Sequence, residues 1–141
     1  MKALMFGWEF PPHILGGLGT ASYGLTKGMA ECGDMDITFV IPKPHGDEDK
    51  SFAHIVGAGN TPVAWRDVSW DYVAGRLGYC MDPQEYFNLR DHIYADFNYL
   101  HTNDLGCIEF SGRYPDNLLE EINNYSIAAG VIARTYPCDV I

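Results

Sequence analysis

The sequence predicts an α/β fold, with a parallel sheet, flanking helices and an irregular insertion. Three observations carry this expectation. Lys2 to Phe6 is a short apolar run without polar alternation, the mark of a strand buried on both faces. A glycine-rich turn follows and opens a stretch whose apolar residues recur three and four apart, as a helix requires. Ile37 to Ile41 is β-branched and aromatic and reads as a second buried strand. Strand, turn, helix and strand together make a βαβ unit, whose crossover is right-handed.

The elements follow in order. After Gly7, two prolines (Pro11, Pro12) and three glycines (Gly16, Gly17, Gly19) make a loop of special backbone geometry. The helix shows an apolar stripe of Leu18, Ala21, Leu25, Met29 and Cys32, with Gly33 as its stop. Pro42 and Pro44 end the second strand. Residues 43–81 read as an insertion of surface loops or a small antiparallel extension, with short strands at Ile55-Val56 and Pro62 to Trp65. Asp82-Pro83-Gln84-Glu85 carries an N-cap, a proline at the first helical position and a capping-box glutamate. Tyr86, Leu89, Ile93, Phe97 and Leu100 continue at helical spacing. Asn117 to Glu120 caps a further helix in the same way, with a stripe of Leu118, Ile122, Tyr125, Ala129 and Ile132. Pro137 breaks it, and Asp139-Val140-Ile141 reads as the opening of a third parallel strand.

Composition narrows the function. The chain has 141 residues, a net charge of -10 and a pI near 4.6, with 47% hydrophobic and 13% aromatic residues. That length suits one domain, and the apolar content is enough to offset the entropy of ordering. The acidic balance argues against nucleic acid and against an anionic membrane surface as partners. Only Lys2 is available for a basic leader region, and Glu9 interrupts the apolar run, so no signal peptide is expected. No stretch approaches the roughly 20 apolar residues of a membrane span. Cys32, Cys80, Cys107 and Cys138 form no C-x-x-C pair and read as reduced, mostly buried thiols of a cytoplasmic protein. The five histidines are dispersed, without H-E-x-x-H spacing, so no metal site is expected.

The glycine turn carries the chemistry. Placed between a buried strand and a helix, such a turn lets backbone N–H groups meet a phosphate. A P-loop is excluded because no Gly-Lys-Ser/Thr is present. A dinucleotide fingerprint needs G-x-G-x-x-G/A, but Ser22 stands at its third place. No acidic residue follows Ile41 to hold a ribose hydroxyl either.

Residues 2–21 read KALMFGWEFPPHILGGLGTA. This stretch resembles the start of the glycogen/starch synthase family, and more broadly of retaining glycosyltransferases built from two facing Rossmann-like domains (the GT-B fold). The likeness rests on a strand, a Glu-x-x-Pro stretch and a Gly-Gly-Leu loop opening a helix. It implies that residues 1–141 are the N-terminal, acceptor-side Rossmann-like domain of such an enzyme, cut before the domain closes. The implied reaction moves glucose from a nucleotide sugar to an α-1,4-glucan with retention, without metal or other cofactor. Ile14 stands where bacterial synthases carry a lysine, and Thr20 where many carry an aspartate, leaving ADP-glucose and UDP-glucose both open as donors. The basic diphosphate clamp would lie in a C-terminal Rossmann-like half, so the 141 residues alone are expected to show no turnover.

On this reading Gly16, Gly17 and Gly19 face the donor diphosphate; tight strand-to-helix packing is the plain alternative. Two roles are open to Glu9: bonding sugar hydroxyls, or capping local amides and orienting the loop. His13 and Thr20 complete the candidate donor and substrate set, and the catalytic residues stay unassigned. Trp65, Trp70, Tyr72 and Tyr79 offer a stacking surface or a local mini-core. Asn103, Asp104 and Arg113 line an acceptor groove or simply form surface turns. Two rival classes are a non-catalytic glucan-binding module and a nucleotide-binding oxidoreductase domain.

Overall fold

A computed structural model describes residues 1–64 and 102–141. Its elements are β1 (Lys2–Phe6), α1 (Gly17–Cys32), β2 (Asp36–Ile41), β3 (His54–Gly57), a 3-10 turn (Ala58–Asn60) and α2 (Leu118–Thr135). The expected helix after Asp82, Cys80 and the four aromatic residues from Trp65 to Tyr79 lie outside the described residues.

The sheet is parallel, in the order β1-β2-β3. Val140 pairs parallel with Ala3 on the free side of β1, and the Leu4 N–H donates to the Val140 carbonyl at 2.9 Å. The expected third parallel partner therefore begins where Asp139-Val140 runs, as a bridge rather than a full strand. The sheet grows outward from β1 to β3 and then returns to the other edge of β1. The order reverses beside β1, and open α/β sheets place ligands at such a reversal, outside the strands' carboxyl ends.

Ile55 and Val56 do form a strand, but it belongs to the parallel sheet and not to an antiparallel extension. An antiparallel contact appears farther on, where Pro62 meets Cys107.

The strand residues alternate between two cores. Leu4 and Val40 face a cluster with Ala58, Ile108, Phe110, Ala128 and Ile132, which α2 covers. Ala3, Ile37, Phe39 and Ile41 face Phe10, Tyr23, Met29 and Ala30 under α1. Both faces are covered, which is why β1 and β2 are apolar without alternation.

Both helices bury only part of their expected apolar stripes. On α1, Leu18 is 65% and Leu25 57% exposed, and Ala21 and Cys32 also face outward. The inward face is Gly19, Tyr23, Thr26, Met29 and Ala30, of which only Met29 belongs to the expected stripe. Thr26 is fully buried because its hydroxyl donates back to the Ser22 carbonyl at 2.8 Å. On α2, Tyr125 and Ile132 face the core as expected, but Glu121 and Ala128 replace Ile122 and Ala129. No capping box forms there, since the Asn117 side chain donates to the Glu120 carboxylate and not to the backbone. Among the described cysteines all are free; Cys107 is buried, Cys138 is half-buried and Cys32 is exposed, so one of these three matches the expected buried thiol.

A methyl group added at Gly24, on the outer face of α1, would meet nothing within 4 Å. Gly24→Ala should therefore raise stability by about 0.5–1 kcal/mol through helix propensity alone. Chemical denaturation checks this, and a loss of stability would mean that the outer face is covered.

Candidate functional site

Three segments meet at the carboxyl end of the sheet. Trp8 to Leu15 leaves β1, Ile41 to Glu48 leaves β2, and Gly112 to Tyr114 precedes α2. Together they line an open cavity of about 350 Å³. That volume lies at the small end of the roughly 300–1,000 Å³ common for small-molecule sites.

Local chemistry fixes each wall. Buried Glu121 accepts from the Ser111 N–H at 2.9 Å and the Ser111 hydroxyl at 3.0 Å, which anchors the 111–114 turn to α2. Gly112 has φ +73, a conformation side chains rarely adopt, and an added Cβ would lie 3.3 Å from the Lys43 stem. The Trp8 indole N–H donates to the Arg113 carbonyl at 3.2 Å. Its ring stands edge-on to Tyr125 at 5.6 Å and tilts against Tyr114 at 6.2 Å. The Tyr125 hydroxyl donates to the Val40 carbonyl at 2.8 Å, and burial pushes its pKa well up.

Glu9 is the central acid of the cavity, only 7% exposed. Its Oε2 accepts from the Leu15 N–H at 2.9 Å and thereby folds the loop back toward α1. Its Oε1 is buried and has no hydrogen-bond partner. The Tyr114 hydroxyl is pushed up to about 12, first by side-chain hydrogen bonding with Glu9 and then by burial. Tyr114 and Glu9 are thus neighbours in the cavity wall.

His13 stacks on His45, ring centres 3.9 Å apart, and its Nε2 meets Asp47 Oδ1 at 2.6 Å. The 45–49 turn is clasped by further bonds. The Asp49 N–H donates to the Pro11 carbonyl at 2.8 Å, and the Tyr23 hydroxyl to the Asp49 carboxylate at 2.7 Å. Burial works to raise the pKa of Glu48, but N–H groups of His45, Glu48 itself and Gly46 outweigh it and hold the pKa down. Asp47 is lowered chiefly by His13, and Asp49 by Ser51 and Tyr23.

These depressed acids give the clasp a pH dependence. A carboxyl lowered in the folded state adds stability above its unfolded pKa, near 4, and that stability is lost as pH falls through the folded value. The amide protection factors of residues 45–49, measured against the intrinsic rate at each pH, should thus fall below about pH 4 while the sheet core stays protected. Asp47→Asn should remove part of that response.

The glycines divide. A Cβ at Gly19 would lie 2.7 Å from Glu9 Oε2 and 3.2 Å from the Ile14 side chain, so this position is glycine for packing. At Gly16 and Gly17 a Cβ would meet nothing within 4 Å. Gly16 is the N-cap of α1, with extended backbone, no capping side chain and no acidic residue in the first turn behind it. Thr20 turns its hydroxyl back to the Gly16 carbonyl at 3.4 Å. Glu9, His13 and Arg113 line the cavity; Gly16, Gly17, Gly19 and Thr20 stand beside it and not in its wall. Asn103 closes a local turn, its Oδ1 accepting from the Leu105 and Cys107 N–H groups, and Asp104 is exposed.

Trp8, Lys43, His45, Glu48 and Tyr114 also line the cavity, and sequence reasoning assigned none of them a role. Trp8 carried a readable signal, since it stands two positions past the first strand. Tyr114 carried none, because it reaches Trp8 from 106 positions away.

Among the described residues no group of three or more His, Cys, Asp or Glu side chains is arranged to hold a metal ion. No described helix is long and apolar enough to cross a membrane. The family model described as starch synthase catalytic domain matches residues 2–121, a span that includes all three cavity segments. Neither the curated proteins nor the solved structures gave a match.

Proposed function

The chain belongs to the starch synthase catalytic domain family, and from that premise we propose that it forms the N-terminal, acceptor-side domain of a glucosyltransferase. The reaction moves glucose from ADP-glucose or UDP-glucose to an α-1,4-glucan with retained configuration. The observation that carries this reading is the pair Gly16 and Gly17. Nothing in the described fold needs glycine there, because neither position has a steric neighbour or a left-handed backbone. Absent side chains do serve a ligand that must reach the backbone. The N–H groups of the first turn of α1 have no carbonyl four residues back. They meet the helix-dipole requirement for the departing diphosphate.

Glu9 holds this turn through the Leu15 N–H, and in this reading it borders the sugar. Holding the diphosphate calls for positive charge, and a chain of net charge -10 is a poor sole source of it. We assign the remaining cations to a facing Rossmann-like half. The test is transfer of labelled glucose from each donor to maltoheptaose. The 141-residue chain alone should be silent, and the chain paired with a facing half active. Turnover by the chain alone would remove the need for a second half.

A further inference from the structure

We propose that Glu121 is a positioning residue of this site: through Ser111 and Arg113 it fixes where Trp8 stands, and so the shape of the cavity. The proposal rests on the transferase reading and adds to it a residue outside the cavity wall. Glu121 lies on α2 and is only 7% exposed. An acid is costly to bury, and its hydrogen bonds offset that cost with little left over. What those bonds supply is direction. Both Glu121 oxygens are spent on one residue, Oε1 accepting from the Ser111 N–H at 2.9 Å and Oε2 from the Ser111 hydroxyl at 3.0 Å.

The bonds continue outward as a relay. The Ser111 hydroxyl that donates to Glu121 accepts from the Arg113 N–H at 3.2 Å. The Arg113 carbonyl accepts in turn from the Trp8 indole N–H at 3.2 Å. Between Ser111 and Arg113 stands Gly112, with φ +73, so the turn keeps a backbone form that other residues rarely adopt. The Trp8 ring meets the same helix a second time, edge-on to Tyr125 at 5.6 Å. Glu121 and Tyr125 stand one helical turn apart and share a face of α2. The helix thus holds Trp8 by its N–H through Glu121 and by its ring through Tyr125. Trp8 and Arg113 border the cavity, and Glu121 does not. Gly16 and Gly17 follow Leu15, which Glu9 holds, so the relay bears on the cavity and not on the glycine turn. On the transferase reading the diphosphate takes that turn, and a loosened relay is felt by the glucan.

Transfer kinetics of the chain paired with a facing half, and the Trp8 indole N–H resonance of the chain itself, test this. Glu121→Gln keeps one acceptor oxygen and loses the other, so it should shift the indole resonance and raise KM for maltoheptaose about fivefold. The kcat, and the KM for the sugar nucleotide, should stay within about twofold. Ser111→Ala removes the hydroxyl of the relay and should reproduce both effects, whereas Ser111→Thr keeps a hydroxyl and should leave both near wild type. The double variant of Glu121→Gln with Ser111→Ala should be no worse than either alone, because the two act along one path. Additive effects in the double variant overturn the proposal, as does an unmoved indole resonance with unchanged KM in folded Glu121→Gln. A fall in kcat together with a rise in both KM values marks a general structural role and overturns it too. Should Glu121→Gln not fold, Ser111→Ala, at an exposed position, decides by the same readings. If the paired wild type transfers no glucose, the transferase reading falls, and the indole shift alone decides the relay.

Discussion

Replacing Phe39 by alanine should lower the unfolding free energy by about 3–5 kcal/mol, a large part of the roughly 5–15 kcal/mol a domain commands. Phe39 is fully buried at the centre of the sheet face that α1 covers. Its ring lies 4.7 Å from that of Phe10, which in turn stands edge-on to Tyr23 at 5.6 Å. A Cβ on Gly7 would lie 2.5 Å from the same ring, so the end of β1 is shaped to pass over it. Removing the ring opens a void between strand, loop and helix. Because Phe10 belongs to the segment that carries Glu9 and His13, the loss should also loosen the cavity. Denaturant titration gives the first effect, and faster amide exchange at residues 8–15 the second. A cost below about 1 kcal/mol would mean that the core collapses around the void.

Gly17→Val should do the reverse: leave the fold intact and remove the activity. The open space around Gly17 accepts the side chain, so the melting temperature should move by only a few degrees either way. On the proposed reading, transfer by the chain paired with a facing half should fall by about 100-fold or more, because a diphosphate could no longer settle on the backbone. Gly24→Ala, on the same helix but far from the turn, serves as the control whose activity stays normal. Undiminished transfer by Gly17→Val would show that the turn does not touch the donor.

The strands were legible because the physics behind them is simple. A parallel strand covered on both sides has no polar face to display, so Lys2–Phe6 and the run to Ile41 announce themselves. The helix faces were not. Hydropathy favours Leu18 and Leu25 over Gly19 and Thr26, yet the close approach of α1 to Glu9 leaves room only for glycine, and Thr26 hides its hydroxyl in its own helix. Glu121 escaped for a similar reason: an acid faces inward because Ser111 offers it two donors.

The site was half legible. Glu9 and His13 lie in the loop that leaves the first strand, where a parallel sheet presents its ligands. Trp8 with Arg113, and His13 with Asp47, meet only through tertiary folding, across 105 and 34 positions. No local pattern announces such pairs. The division among the glycines was equally hidden, since packing at Gly19 and openness at Gly17 look alike in a string of letters.

The most direct test is a two-dimensional amide spectrum of the chain titrated with ADP-glucose, UDP-glucose and, as the rival ligand, NADH. One of the nucleotide sugars should shift the Gly16–Gly19 amides together with the Trp8 indole, and NADH should not. Shifts that fall elsewhere on the fold, or that follow NADH and neither sugar nucleotide, would contradict a glucosyl-donor site at this edge of the sheet.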